Sequence, residues 1–581
     1  MSRLRTAIRN EQSILFALAL LTGVGAGFGV IGFRLLIGLF QQAFYGSDSE
    51  VYFTTIVETL PHWHVLLVLV AGGLLIGLFV HFIMPGRRNH GVADIIEACA
   101  LRGGRMSARA GIGAAVASAA SIGMGASVGR EGPAVHLGAS MSAWVAERLR
   151  LSRSLSLTLV GCGAAAAVAA SFNAPIAGVL FALEVVVGHY GLNVFAPIVV
   201  SSVAATVVTR IYLGDTPAFL FVPDYFIGSF LEVPLFMLLG VVCAVVAAVF
   251  MSSVILAQDF IGKIPVPPWL KPAFGGLVIG VIALAFPEVL GVGYQATDLA
   301  LKGALPLGLM AALVVAKLLA TSIALGSGFA GGVFSPALFL GAMTGGAFGL
   351  LVALLFPDVS AHGAYTVAAM AGVAAAVLGA PISTILIMFE LTNNYQLMIA
   401  VMITAVLASM LASKLARRSF FVWQLERRDI NLRVAQESAV LLGTTVEDLV
   451  SKDYAAVEHS MSLSAIADLL ARQCPTALLV VDEQQRLYGR LAIGDVVKAA
   501  FDAEALTATA AELAQPVETV LLPHASLDRA LKLMARHNDD YLPVVDDTGE
   551  RRLLGILRRS DLVLAYNRVL LDARAEERGE K

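Results

Sequence analysis

The first chemical signal in this chain is a carboxylate in apolar surroundings. Glu131 lies in Gly129-Arg130-Glu131-Gly132-Pro133, between runs dominated by Ala, Gly, Val, Ile and Leu. An ionisable side chain inside a membrane-type segment marks a functional site by default. The Gly-Pro step beside it begins a helix, because proline is favoured at the first helical position. A break of this kind within a bilayer is tolerated only where it lines protein or water. The helix start then offers unpaired N–H groups and a positive dipole end, which hold an anion without a full positive charge. The Glu131 carboxylate can occupy such a site, compete with the anion, and leave when protonated. The plainer alternative is a helix carboxylate that only complements the dipole.

The same design occurs twice. Gly123-x-Gly125, Pro133-Ala134 and Leu137-Gly138-Ala139 return 203 residues later as Gly326-x-Gly328, Pro336-Ala337 and Leu340-Gly341-Ala342. Ala174-Pro175-Ile176 with Glu184 returns 206 residues later as Ala380-Pro381-Ile382 with Glu390. Two matches in one order describe a duplicated transport unit, and inverted duplication is a common transporter plan. Glu184 and Glu390 occupy equivalent positions, so both read as structural helix carboxylates.

The surrounding elements must be membrane helices. Of 581 residues, 58% are hydrophobic and 14% charged, with a mean hydropathy of +0.80; soluble chains carry about a quarter charged residues. The net charge of −3 argues against a nucleic-acid partner. Cys99, Cys162, Cys243 and Cys474 have neither disulfide-framework nor metal spacing and read as small core residues. Arg3, Arg5 and Arg9 precede an apolar stretch at 14–40, too long for a signal-peptide core. The following loop has no Lys or Arg but carries Asp48, Glu50 and Glu58, and the next apolar run, 65–84, ends at Arg87 and Arg88. The positive-inside rule puts the N-terminus in the cytoplasm, and Arg417, Arg418, Arg427 and Arg428 mark a cytoplasmic exit.

Together these motifs resemble the CLC family of chloride channels and chloride/proton antiporters. Gly129-Arg130-Glu131-Gly132-Pro133 and Gly332-Val333-Phe334-Ser335-Pro336 look like two of its signatures, and Phe172-Asn173-Ala174-Pro175 and Asn394-Tyr395-Gln396-Leu397 match further stretches. The resemblance implies a homodimer in the lipid bilayer with one pathway per subunit for chloride or similar small inorganic anions, and no required cofactor. Glu131 would be the external gate, within an anion site that includes Gly129, Arg130 and Gly132. Backbone amides of Val333 and Phe334 would contribute, and Tyr395 would donate its hydroxyl to the central anion.

Two departures from the family matter. Where its first signature usually reads Gly-Ser-Gly-Ile-Pro, this chain has Asn89-His90-Gly91-Val92-Ala93. His90 would replace the serine that touches the anion and, when protonated, add pH dependence; otherwise it points elsewhere and a backbone amide serves. Proton-coupled members generally carry a glutamate immediately after the position of Glu184, where this chain has Val185. The reading is therefore channel-like or weakly proton-coupled conduction, with coupled chloride/proton antiport as the alternative.

Beyond about residue 446 the composition becomes that of a soluble α/β module with its own repeat. Pro475-Thr476-Ala477-Leu478-Leu479-Val480-Val481-Asp482 and Tyr541-Leu542-Pro543-Val544-Val545-Asp546 each lead to a second short strand and a helix. The pattern resembles a tandem pair of CBS domains, which commonly follow CLC membrane regions and often bind adenine nucleotides. Asp495 and Asp561 would reach a ribose and Arg558 a phosphate, while Ala492 stands where a hydroxyl is expected. A purely structural dimerising module is the alternative.

The expected fold is an all-α polytopic membrane domain of two inverted repeats with broken helices, plus a cytoplasmic α/β tandem CBS domain. The membrane domain covers residues 1–435, with repeats at about 14–210 and 232–415, followed by a linker at 436–445. The first CBS domain covers 446–500, and the second, with the tail, 501–581. A bacterial-type inner membrane with both termini cytoplasmic is the expected location. An intramembrane serine hydrolase using Ser127 or Ser327 would need a later membrane histidine as base. Residues 365–415 contain none, so an enzyme is not expected.

Overall fold

The computed structural model describes residues 11–47, 52–188, 190–214, 229–356, 360–416, 418–428, 430, 445–473, 475–499, 508–517, 519–537, 539–547 and 549–577. Arg3, Arg5, Arg9, Asp48, Glu50, Arg417, Cys474 and nearly all of the expected linker lie outside them. The chain divides into two compact units, Met1–Leu432 and Arg433–Lys581.

The first unit is helical. Among the described residues, nine helices are long and apolar enough to cross a membrane, from Ser13–Tyr45 to Met398–Glu426. The elements that carry the chemistry are α1 (Val92–Arg102), α2 (Ala108–Gly123), α3 (Glu131–Arg148), α4 (Arg153–Phe172), α5 (Pro175–Phe181), α6 (Phe334–Leu355), α7 (Pro381–Thr392) and α8 (Phe420–Glu426). Prolines open α5 and α7 at the first helical position. The α3–α4 crossing is possible because both helices carry glycine there: a Cβ on Gly138 would lie 2.4 Å from the Gly163 carbonyl oxygen. Close backbone approach of this kind is the usual way membrane helices pack. Cys99, Cys162 and Cys243 are buried free thiols.

Two reciprocal contacts join the halves. Gly129 and Gly332 form an isolated antiparallel bridge, with Gly129 N donating to Gly332 O at 2.8 Å and Gly332 N to Gly129 O at 2.7 Å. Residues 182–187 extend α5 as a looser π-type turn carrying Glu184. The Glu184 carboxylate accepts from Ile382 N (3.1 Å) and Ser383 N (2.8 Å) at the start of α7. Glu390, near the end of α7, accepts from Ile176 N (3.0 Å) and Ala177 N (2.7 Å) at the start of α5. Each repeat thus caps the broken helix of the other, satisfying N–H groups that have no partner within their own helix. The antiparallel pairing and exchanged caps are what two inverted copies facing one another produce.

The second unit contains a three-stranded sheet and a two-stranded one. Strand β1 (Ala455–Glu458) pairs in parallel with β2 (Leu478–Val481), which pairs antiparallel with β3 (Leu487–Leu491). Strands β4 (Tyr541–Val545) and β5 (Leu553–Arg558) pair antiparallel. Helices Leu463–Arg472 and Leu527–His537 precede β2 and β4, and Ile493–Ala499 and Arg559–Glu577 follow β3 and β5. This is the duplicated helix–strand–strand–helix order expected from the sequence.

Candidate functional site

The Glu131 side chain lines a cavity of about 510 Å³ in the membrane unit. Helices α1, α3 and α6 all begin at its wall, through Val92, Glu131 with Gly132, and Phe334. Three positive helix ends therefore face one space, where low polarity strengthens their effect. The rest of the lining is strongly cationic: Arg87, Arg88, Lys271, Arg427 and Arg428 contribute, against Asp94 and Glu131 as the carboxylates. Phe420 and Phe421, at the start of α8, add an aromatic wall.

Glu131 is only 4% exposed. Its carboxylate contacts the hydroxyl of Ser335, from the opposite repeat, through both oxygens, Oε1 at 2.5 Å. A hydroxyl has one proton to give, so one carboxylate oxygen at a time receives a hydrogen bond from it. The nearest cationic atom, Nε of Arg130, is 4.0 Å from Oε1. The guanidinium of Arg130 instead lies over the Tyr294 ring, 5.0 Å from its centroid. Arg130 and the backbone N–H groups of Glu131 and Ser335 also act on the carboxylate.

Of the residues assigned from the sequence, His90, Glu131, Gly132, Val333 and Phe334 line the cavity. Gly129 lies behind the wall in the bridge to Gly332, and Arg130 is turned towards Tyr294. Tyr395 lies apart from these residues. It is 80% exposed and does not line the cavity. Just before it, α7 ends at Asn393 in the left-handed conformation (φ 50°). Asn394 Oδ1 accepts from Leu397 N at 3.3 Å, closing that turn.

His90 departs from a simple serine replacement. Its Nε2 lies 3.1 Å from the Pro85 carbonyl oxygen and its Nδ1 3.6 Å from Asp94 Oδ1. Asp94 is itself bound by Arg88 at 2.6 Å and Arg428 at 3.0 Å. Three groups were not identified from sequence: Ser335, Phe421 and Arg428 as a partner of α1. The signal for Ser335 was present, because the 203-residue register that pairs Pro133 with Pro336 also pairs Gly132 with Ser335.

In the second unit Arg558 is already engaged. It donates to Asp561 through Nε (2.7 Å) and Nη2 (3.1 Å), and to Asp453 through Nη1 (2.9 Å). These pairs raise the Arg558 pKa above its ordinary value, the Asp561 hydrogen bond most of all. Asp495 Oδ2 accepts from Gln515 Nε2 at 3.2 Å.

Helices that begin part-way through a membrane unit, around a cavity built to attract negative charge, define a multi-pass membrane protein for anion transport. The chain belongs to the voltage gated chloride channel family, the CLC proteins, whose pattern it matches over residues 72–413. The CBS domain pattern matches twice, at 446–502 and 510–568. It is similar to a ClcB-like protein of Ralstonia nicotianae, 32% identical over 73% of this chain and 100% of the relative. A protein of Vibrio cholerae named H(+)/Cl(−) exchange transporter ClcA is 30% identical over 73% of this chain and 92% of its own length. Among solved structures, a eukaryotic CLC transporter shares the fold with a TM-score of 0.61 at 18% identity, covering 94% of this chain and 97% of that one. A slow cyanobacterial Cl−/H+ antiporter gives 0.64 at 22% identity, covering 71% and 97%.

Proposed function

We propose that the protein moves chloride or a similar small anion through this cavity, with Glu131 as the gate. The observation that carries the reading is the placement of the Glu131 carboxylate at the α3 start, inside the anion-attracting cavity, in hydrogen-bond contact with Ser335 of the opposite repeat. As an anion it occupies the place an anion would take. Protonated, it loses its claim on the helix ends and gives way. The names of the exchange transporters among its relatives favour a second reading, in which each protonation of Glu131 is part of a chloride/proton exchange cycle. The protein would work as a homodimer in a bacterial-type inner membrane, both termini cytoplasmic. Its CBS pair would bind an adenine nucleotide at Asp495, Arg558 and Asp561 and regulate transport.

The test is chloride flux from proteoliposomes holding the full chain, with Glu131→Gln and Glu131→Ala beside the wild type at several pH values. Both variants are expected to change the rate and flatten its pH dependence. Wild-type flux and pH response in both would overturn the assignment.

A further inference from the structure

We propose that Lys317 is a positioning residue for the gate: it seats the segment 289–292 so that Tyr294 holds the Arg130 guanidinium away from the Glu131 carboxylate. The inference rests on the reading of Glu131 as the gate, and identifies what keeps the neighbouring cation from locking it.

Lysine is almost never fully buried unless it is paired, and an ionisable group inside a membrane segment marks function by default. Lys317 stands at the middle of the helix Leu307–Ser327 and has no exposed surface. Among the described residues no carboxylate pairs with it. Its Nζ donates instead to three backbone carbonyls, those of Val289 (2.9 Å), Gly291 (2.9 Å) and Val292 (3.4 Å). An ammonium has three N–H donors, so all three are spent here. The ammonium also lies over the Phe339 ring of α6, 4.9 Å from its centroid, a cation–π contact. Lys317 does not line the cavity. Its charge goes into fixing one short stretch of backbone.

That stretch leads to the gate through a chain of contacts. Gly291 and Gly293 are left-handed (φ 57° and 92°), the conformation that favours glycine. Gly291 N donates to Gly125 O at 3.1 Å, on the Gly-rich stretch that runs on to Glu131. Gly293 packs against the same Phe339 ring, where a Cβ would lie 2.6 Å from a ring carbon. Gly293 also caps the helix Tyr294–Leu301, so the seat of the segment sets where Tyr294 stands. The buried Tyr294 ring carries the Arg130 guanidinium, 5.0 Å from its centroid. Arg130 Nη2 further donates to Ser171 O at 3.5 Å.

Arg130 directly precedes Glu131, and its Nε stands 4.0 Å from Glu131 Oε1. A hydrogen bond needs about 2.7–3.2 Å, so a movement of roughly 1 Å separates the present contact from a charge-assisted pair. Such a pair is about twice as strong as a neutral hydrogen bond and would hold the carboxylate at the helix ends against an incoming anion. The Tyr294 ring competes for the guanidinium and prevents this. Without the ammonium three carbonyls lose their donor, a costly state for buried polar groups. The segment then shifts to satisfy them, Tyr294 moves with it, and Arg130 closes on Glu131.

The experiment measures chloride efflux from proteoliposomes holding the full chain, in wild-type and Glu131→Gln backgrounds. Lys317→Met keeps the length of the side chain and removes its donors; Tyr294→Leu removes the ring directly. In the wild-type background each is expected to lower flux at least fivefold. In the Glu131→Gln background, where no charged carboxylate remains for Arg130 to hold, each is expected to change flux less than twofold. The proposal fails if either substitution keeps wild-type flux while Glu131→Gln alters it, and the gate then stands. It fails too if either lowers flux equally in both backgrounds, as general damage to the fold would. Should Lys317→Met not fold, Tyr294→Leu carries the same comparison. Flux that Glu131→Gln leaves unchanged would remove the gate, and the proposal with it.

Discussion

Replacing Ser335 with alanine isolates what its hydroxyl contributes to holding the Glu131 carboxylate, the proposed gate. The hydroxyl is the side-chain group donating to Glu131 in the cavity wall, and it comes from the other repeat. Hydrogen bonds to charged groups contribute about 1.5–3 kcal/mol. At about 1.4 kcal/mol per factor of ten, removing it shifts the equilibrium away from the held carboxylate by roughly 10- to 150-fold. The substitution removes one oxygen and leaves the Pro336 helix start intact, so the cavity keeps its shape. Chloride efflux from proteoliposomes, followed by electrode at fixed pH, is expected to rise at least several-fold, up to the point where the gate no longer limits the rate. A Ser335→Ala protein with wild-type flux, alongside a Glu131→Gln protein with altered flux, would refute the idea that this hydroxyl latches the carboxylate.

Two further outcomes follow from the same geometry. Glu390→Ala or Glu184→Ala strips two backbone N–H groups of their acceptor at the start of α5 or α7. Each should lower stability by on the order of 1–3 kcal/mol, read as a lower thermal unfolding midpoint in detergent; an unchanged midpoint would mean the caps are replaceable. In the second unit, fluorescent adenine nucleotide should bind the wild type and not Asp561→Ala. Equal binding by both would remove Asp561 from the ribose role, and none by either would favour the structural module.

Much of the architecture was legible because the duplication wrote it twice. The Gly-rich segments before Pro133 and Pro336, the Ala-Pro helix starts and the paired glutamates appear at constant offsets, and each contributes a structural contact across the repeat interface. Glu131 was legible for a different reason: charge is rare in membrane segments, so one carboxylate stands out. The position of the Tyr395 side chain was not legible, because similarity of a short stretch says nothing about the direction of a side chain after a left-handed turn. Part of the cavity's aromatic lining comes from Phe420 and Phe421, at a boundary where composition alone reads as an exit to the cytoplasm.

The exchanged caps also bear on how the molecule can move. Transporters built from inverted repeats often work by rocking one repeat against the other. Here such rocking would pull Glu184 off α7, Glu390 off α5 and Gly129 off Gly332 in one motion. The repeats are cross-braced like the two legs of a trestle. A rigid frame of this kind would leave motion to side chains on the cavity wall, the Glu131 carboxylate among them.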